Sequence, residues 1–178
     1  MNNILESYVN PAYVYKFCQG PDVVRDRKDA LRYGINCVAL AHLAIRDLFD
    51  YALPRELQCA EMYLDRNHFE KVNGTEAMRQ GDLVWFGIDN ATIEPEEFEL
   101  VYEHGVLVNW ADFPVKHVSV YIGNKDERGV PLLLHATHVG GTNAVWPVDR
   151  FVEYRKYRRM YGITRLIPEL RRAEDGIT

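Results

Sequence analysis

The fold expected for this chain is organised around the stretch LRYGINCVALAHLAIRDLF, residues 31–49. After its Tyr-Gly-Ile-Asn turn, apolar residues recur at helical spacing, which predicts a helix with one buried face. Gly34 and Asn36 are typical of a loop that ends in a helix cap. Cys37 therefore lies in the first helical turn, where unpaired backbone N–H groups favour a thiolate. A cysteine placed there is either a reactive thiol or a small buried residue of a core helix.

The composition indicates one folded domain. The chain has 178 residues, of which 47% are hydrophobic and 12% aromatic, and this is enough for a single core. The net charge of −5 is mild and gives no indication of a nucleic-acid or membrane partner. We expect a single domain over residues 1–178, with an N-terminal arm over residues 1–30 and a frayed tail over residues 168–178.

The cysteines and the N-terminal residues bear on location. Cys18, Cys37 and Cys59 are odd in number and irregularly spaced, which indicates neither a disulfide framework nor a zinc site. We therefore expect reduced thiols. The stretch MNNILESYVNPAYVYKF has no basic region followed by an apolar core, and no apolar run reaches transmembrane length. We expect a protein made in the cytoplasm without a signal peptide; export as an effector or lytic protein by a signal-independent route is the alternative.

The order of the predicted elements is helices first and strands later. A short helix over DVVRDRKDALRY, with Asp22 near its start, precedes the Cys37 helix, and a further helix follows over residues 55–69. Strands are predicted for DLVWFGI, HVSVYIG, LLLHATHV, NAVWPV and YGITRLI, a hairpin for FELVYEHGVLVNW and a short helix for DRFVEYRKYRRM. This order is typical of an α+β fold with N-terminal helices packed on a small antiparallel sheet or barrel.

Two histidines are candidate partners for the thiol. A cysteine nucleophile needs a base within hydrogen-bond reach and a third group that orients the base. His117 opens one predicted strand and His135 lies in the next, so pairing of the two strands through GNKDERGVP would bring both rings into one zone. Either histidine alone is more readily a hydrogen-bonded structural residue. A cysteine at a helix start together with histidines on two adjacent strands arises by chance far less often than one such histidine alone. His42, farther along the Cys37 helix, is expected to be a surface or packing residue.

Other groups carry weaker hypotheses. His135 and His138 form a His-x-x-His pair with no third ligand at a telling distance, so we expect no metal. Cys18 and Cys59 are expected to be packing residues. The acidic connection over residues 89–112 is either a solvated loop or a flap that walls a cleft and prefers substrates carrying amines. The Arg- and Tyr-rich residues 150–172 are expected to form a solvated helix face rather than a nucleic-acid surface.

Four blocks, in chain order, resemble the NlpC family of papain-like cysteine peptidases, which are cell-wall amidases and endopeptidases: YGINCVALAHLAIRDLFDYALP, MRQGDLVWFG, HVSVYIGN and LLLHATHV. The resemblance spans residues 33–139 and implies a papain-like NlpC-type fold. It implies that Cys37 attacks an amide carbonyl and forms a thioester, that His117 acts as base and then as acid, and that His135 fixes the His117 ring. The implied substrates are peptides or peptidoglycan fragments, cleaved without a cofactor or metal.

The resemblance also places candidates for the substrate cleft at Tyr33, Asn36, Trp85 and Ser119. The backbone N–H of Cys37 is the implied oxyanion donor. Two alternatives remain open: a thiol acyltransferase or thioesterase of the papain fold, and a catalytically inactive binding module. Asn36 replaces the Asp that usually precedes the family's cysteine, and Val38-Ala39 replace the usual Ser-Gly, which favours the inactive module. The sequence gives no indication of oligomeric state.

Overall fold

A six-stranded antiparallel sheet supports the helices of this protein. The computed structural model describes residues 4–170. The α-helices are α1 (Arg27–Tyr33), α2 (Cys37–Phe49) and α3 (Cys59–Leu64). The strands are β1 (Phe69–Val72), β2 (Leu83–Gly87), β3 (Tyr102–Glu103), β4 (Val106–Leu107), β5 (Val115–Lys125), β6 (Pro131–Ala136), β7 (Asn143–Pro147) and β8 (Arg159–Leu166). Short 3-10 helices cover Ile4–Tyr8, Thr75–Ala77, Pro95–Glu97, Val148–Glu153, Arg155–Tyr157 and Pro168–Leu170. The predicted α+β class is confirmed.

The strand order of the large sheet is β1-β8-β2-β5-β6-β7, and β3 and β4 form a separate hairpin. The predicted pairing of β5 with β6 is confirmed, with Val120 opposite Leu134. The predicted hairpin around His104 and Gly105 is also confirmed, because both residues have positive φ in the β3–β4 turn. None of the helices within residues 4–170 is long and apolar enough to cross a bilayer.

The two-residue period of β5 sends its side chains alternately into two cores. Val118 and Val120 join a large core that includes the buried face of α2. Tyr121 belongs to a second core, which the 3-10 segment over residues 148–157 helps to close. Phe86 of β2 and Phe151 of that segment stack there with ring centroids 4.2 Å apart. The sheet therefore has an apolar core on each of its faces.

Helix α2 begins where the sequence predicts. Asn36 is its N-cap, and the side-chain oxygen accepts a hydrogen bond of 2.9 Å from the backbone N–H of Ala39. The Asn36 amide Nδ2 donates to the backbone oxygen of Phe17 at 3.1 Å, which ties the helix start to the N-terminal arm. The helix ends at Asp50, whose φ of 50° is left-handed. Cys37 is therefore the first residue of a capped, buried helix.

Replacing the cap should loosen the start of α2. Asn36→Ala removes the acceptor for the Ala39 N–H, and we expect a loss of about 1 kcal/mol in the free energy of unfolding. Asn36→Asp is the matched control, because it keeps a side-chain acceptor and loses only the donor to Phe17. Urea unfolding followed by circular dichroism measures both. An alanine variant as stable as the aspartate variant would contradict a capping role.

Three predicted elements differ from the structure. The predicted helix over residues 55–69 is wrong at both ends: α3 covers only Cys59–Leu64, and it stops there because the Asp65 carboxylate accepts hydrogen bonds from the backbone N–H groups of Asn67 and His68 and turns the chain. The DVVRDRKDALRY helix starts at Arg27, not near Asp22, because Asp26 caps it. DRFVEYRKYRRM forms two 3-10 helices and the start of β8 instead of one α-helix.

The predicted N-terminal arm is fixed to the body of the protein within the described residues. Leu5 and Tyr8 are fully buried in the large core. An antiparallel bridge joins Val14 to Thr142, and a parallel bridge joins Tyr15 to Ile35. Of the predicted frayed tail, Pro168–Leu170 form a 3-10 helix, and the remainder lies outside the described residues.

Candidate active site

The structure brings His117 and His135 into direct contact. Nε2 of His117 lies 3.1 Å from Nδ1 of His135, a hydrogen-bond distance, and the two ring planes are 86° apart. Both residues are buried, with 2% and 0% of their surface exposed. Antiparallel pairing of β5 and β6 places them together, as the strand pattern indicated.

Aromatic rings surround the histidine pair. Tyr157 stacks on His117 with ring centroids 4.5 Å apart and planes 28° apart. Trp146 and Phe151 lie against His135, with centroid distances of 4.2 and 4.8 Å. Burial lowers the pKa of His117 to about 3 and the pKa of His135 well below its usual range. Both imidazoles are therefore neutral at neutral pH.

The surroundings of His135 select one tautomer of the pair. Nε2 of His135 is buried and has no hydrogen-bond partner within residues 4–170, and the rings of Trp146 and Phe151 pack against the imidazole. A lone pair at this nitrogen would be unsatisfied, whereas an N–H gains a weak contact with the π surfaces. We therefore assign the proton of His135 to Nε2. His117 Nε2–H then donates to His135 Nδ1, which leaves a lone pair on His117 Nδ1.

The Cys37 thiol lies against the backbone of β5. Backbone N–H groups of Cys37, Val38 and Val118 act on the sulfur, and Val118 directly follows His117 in β5. The thiol is half-buried. No hydrogen bond within residues 4–170 joins the sulfur to either imidazole. Such bonds are often long in a substrate-free site and shorten when substrate binds.

The predicted thiolate is not supported, because burial raises the pKa of the Cys37 thiol despite three nearby N–H groups. Loss of hydration outweighs the contribution of the helix terminus here. The His117 imidazole is neutral and so supplies no positive charge. At neutral pH, Cys37 is accordingly a neutral thiol and His117 a neutral imidazole.

These pKa directions predict how the thiol reacts as pH changes. Alkylation of Cys37 by iodoacetamide should rise continuously from pH 6 to pH 10, since the thiolate fraction grows until the pH passes a pKa above 9. No inflection is expected near pH 6.5, because His117 remains neutral down to about pH 3. Mass spectrometry of the Cys37 peptide gives the rate, with free cysteine as the reference. A plateau below pH 7 would instead show a stabilised thiolate.

Two tyrosines near the sulfur were not predicted. Burial and the charge of a nearby Cys37 thiolate raise the pKa of Tyr15 to about 12, and they also raise the pKa of Tyr157. The parallel bridge between Tyr15 and Ile35 brings the arm beside the start of α2. Neither contact leaves a periodic signal in the sequence, since each joins segments that are remote along the chain.

Two of the four predicted cleft residues are wrong. Trp85 is fully buried in the core and its Nε1 donates to Thr164 Oγ1 at 2.8 Å, because strand period turns it inward. Ser119 is 1% exposed and its Oγ donates to the backbone oxygen of Val84 at 3.2 Å. Asn36 serves as the helix cap. Tyr33 is exposed at the end of α1, beneath the Arg32 guanidinium.

The remaining candidates are placed as follows. His42 is a packing residue, as predicted: its Nε2 lies 3.0 Å from the Leu57 oxygen, and burial lowers its pKa to about 4. Cys59 is also a packing residue, with Sγ 3.9 Å from the oxygen of Val115. Cys18 is exposed, so the prediction that it packs is wrong. No group of three or more His, Cys, Asp or Glu side chains in residues 4–170 is arranged to hold a metal ion.

The acidic connection over residues 89–112 is attached to the body of the protein at several points. Glu94 accepts from Arg159 at 2.7 Å, and Glu96 from Lys71 at the same distance. Trp110 contacts Phe17 of the arm with ring centroids 5.8 Å apart. Two surface cavities, of about 500 and 200 Å³, lie beside Asp47 and beside Lys71 and the β8 backbone, so neither is centred on the thiol.

The predicted solvated helix face at residues 150–172 is wrong for the described part. Tyr157 of this stretch is buried against His117, and β8 from Arg159 pairs with β2 inside the sheet.

The chain has no match among the protein-family models searched and none among the curated proteins searched.

Proposed function

We propose that the protein is a cysteine hydrolase that cleaves an amide or peptide bond through a thioester on Cys37. The main support is the buried hydrogen bond between His117 and His135. His117 lies in β5, and the backbone N–H of Val118, the next residue, acts on the Cys37 sulfur. Neutral imidazole with a free Nδ1 is the form that can accept a thiol proton. His135 orients that base.

The start of α2 supplies donors for the oxyanion. Ala39 N–H is bonded to the Asn36 side chain, and Leu40 N–H donates to the Asn36 backbone oxygen. The N–H groups of Cys37 and Val38 belong to the first turn of the helix, where no carbonyl of the helix pairs with them, and we propose that they bind the substrate oxygen. Both already act on the sulfur. The donors are therefore next to the nucleophile.

The proposed reaction needs only these groups. His117 Nδ1 accepts the thiol proton as Sγ attacks the carbonyl carbon, and the Cys37 and Val38 N–H groups bind the resulting oxyanion. The C–N bond then breaks, His117 gives its proton to the departing amine, and a thioester remains. Water attacks the thioester while His117 accepts a proton from it. That proton returns to the sulfur as the carboxylic acid leaves.

Peptidoglycan stem peptides are the proposed substrates. Their support is the resemblance of four ordered sequence blocks to the NlpC family, and the His117–His135 contact agrees with the roles that the resemblance implies. A thiol acyltransferase or thioesterase would use the same three residues, but no observation within residues 4–170 favours it.

A mixture of muropeptides tests the proposal. Wild type should release new amines, detected by labelling and mass spectrometry, and Cys37→Ala should release none above background. Cys18→Ala is the matched control, because it removes an exposed thiol and should keep full activity. Equal release by Cys37→Ala would refute the role of Cys37. A radiolabelled phospholipid added in parallel should leave no acyl group on the protein; labelling at Cys37 would indicate the acyltransferase.

A non-catalytic module of this fold is the second candidate. It is favoured by the raised pKa of the Cys37 thiol and by the missing hydrogen bond between sulfur and imidazole. Iodoacetamide distinguishes the two. A thiol activated by His117 should lose reactivity in His117→Ala at pH 7, whereas an inactive module should show the same low rate in both proteins.

A further inference from the structure

Two neighbours of His117 fix different degrees of freedom of its ring. The hydrogen bond from Nε2 to His135 Nδ1 fixes the direction of one nitrogen. The two ring planes are 86° apart, so this edge contact leaves the His117 plane free to turn about the bond. Tyr157, stacked at 4.5 Å and 28°, restricts the plane most closely; Phe151 lies farther away, at 5.9 Å and tilted by 35°. Both restraints are needed to direct Nδ1.

Tyr157 is itself held in place. It is 5% exposed, and Phe151 and Tyr154 lie within 6.3 Å between ring centroids. Its hydroxyl interacts with Thr137, whose Oγ1 accepts a hydrogen bond of 3.1 Å from the Val139 N–H just after β6. The ring is thus fixed at both ends, by packing on the second core and by a hydrogen bond to the chain that follows β6.

We propose that Tyr157 is a positioning residue, whose ring holds the His117 imidazole in the plane that points Nε2 at His135 and Nδ1 at Cys37. Stacking on His117 explains why Tyr157 is buried although the residues next to it in the sequence are charged. It also makes the 3-10 segment after β7 part of the site. The effect on turnover rests on the proposed cysteine hydrolase; the effect on the ring does not.

Nitrogen NMR of His117 tests the proposal directly. Wild type and Tyr157→Phe, which keeps the stack, should show one neutral tautomer with the proton on Nε2. Tyr157→Met, which fills the space without a flat ring, should show averaged Nδ1 and Nε2 shifts. Val152→Ala is the matched control, since Val152 is 54% exposed in the same segment and should leave the spectrum unchanged. A single tautomer in Tyr157→Met would overturn the proposal.

Turnover supplies the second measurement. Tyr157→Met should lower kcat on muropeptides by about 10–100-fold with little change in KM, because a misdirected base slows the chemical step more than binding. Tyr157→Phe should stay within about threefold of wild type on the same reasoning. Averaged tautomers in Tyr157→Met together with no hydrolysis by wild type would support positioning and refute the hydrolase. Unchanged tautomer and kcat in a hydrolysing enzyme would refute positioning alone.

A folding defect in Tyr157→Met would not leave the proposal undecided. Circular dichroism detects such a defect. In that case the NMR spectra of wild type and Tyr157→Phe test the proposal. Stacking predicts upfield ring-proton shifts for His117 and a single tautomer in both proteins. A mixture of tautomers in wild type, or ring protons without the upfield shift, would contradict the proposed restraint.

Discussion

Replacing His117 by alanine is expected to lower turnover of the amide substrate by about 10³–10⁴-fold. The variant loses the imidazole that we propose as the base, whose Nε2 is bonded to His135 and whose Nδ1 would accept the thiol proton. Because burial raises the pKa of the Cys37 thiol, little thiolate is present at neutral pH to react without a base. Initial rates of amine release from muropeptides, measured at saturating substrate, give kcat directly.

His138→Ala is the matched comparison for this variant. His138 follows His135 by three residues, is exposed, and lies 6.3 Å from Tyr15 between ring centroids. Its loss should change kcat by less than about threefold, since it is not bonded to the histidine pair. A large loss in His138→Ala with a small loss in His117→Ala would identify His138 as the base. That result would contradict the proposed mechanism.

Removing Asp82 should cause the largest loss of stability among the variants considered. Asp82 is fully buried, and its carboxylate accepts from Arg165 Nε at 2.8 Å, from Arg165 Nη2 at 2.7 Å and from the Arg79 N–H at 2.7 Å. Asp82→Ala leaves a guanidinium that is only 11% exposed without its counter-charge. We expect a loss of about 3–5 kcal/mol, which corresponds to a fall in Tm of roughly 10 °C.

Two further variants separate the buried pair from ordinary surface charge. Asp149→Ala removes a carboxylate that is 47% exposed from its pair with Arg128 and should leave Tm unchanged within error. The double variant Asp82→Ala/Arg165→Met removes both buried charges and should be more stable than Asp82→Ala alone. Differential scanning calorimetry measures all three. Equal Tm values for Asp82→Ala and Asp149→Ala would show that burial of the Asp82–Arg165 pair contributes nothing.

Sequence patterns predicted the features that depend on neighbours close along the chain. The Asn36 cap acts on Ala39, three residues away, and the α2 helix follows from its own apolar spacing. The β5–β6 hairpin follows from two alternating runs joined by a turn. The predicted pairing also implied that His117 and His135 lie close together, and this required no information about the rest of the fold. Local rules were sufficient because each of these contacts lies within one element or one hairpin.

Features that join remote segments were missed or wrongly predicted. The sequence indicated that Trp85 lies in a strand but not which core it enters, so its placement in a cleft was wrong. The α3 helix was predicted too long because a local turn at Asp65 overrides its helical pattern. Tyr157 carries no periodic signal that links it to His117, since the two residues belong to different parts of the chain.

Capping and strand alternation are set by residues only a few positions apart, so the sequence is enough to predict that a cysteine begins a capped helix and that two histidines lie on paired strands. The ionisation of these groups depends on the tertiary structure. Burial raises the pKa of Cys37 and lowers that of His117, and burial depends on which segments from the whole chain pack around a side chain. The neutral thiol of Cys37 and the neutral, ring-stacked imidazole of His117 are therefore properties of the folded protein.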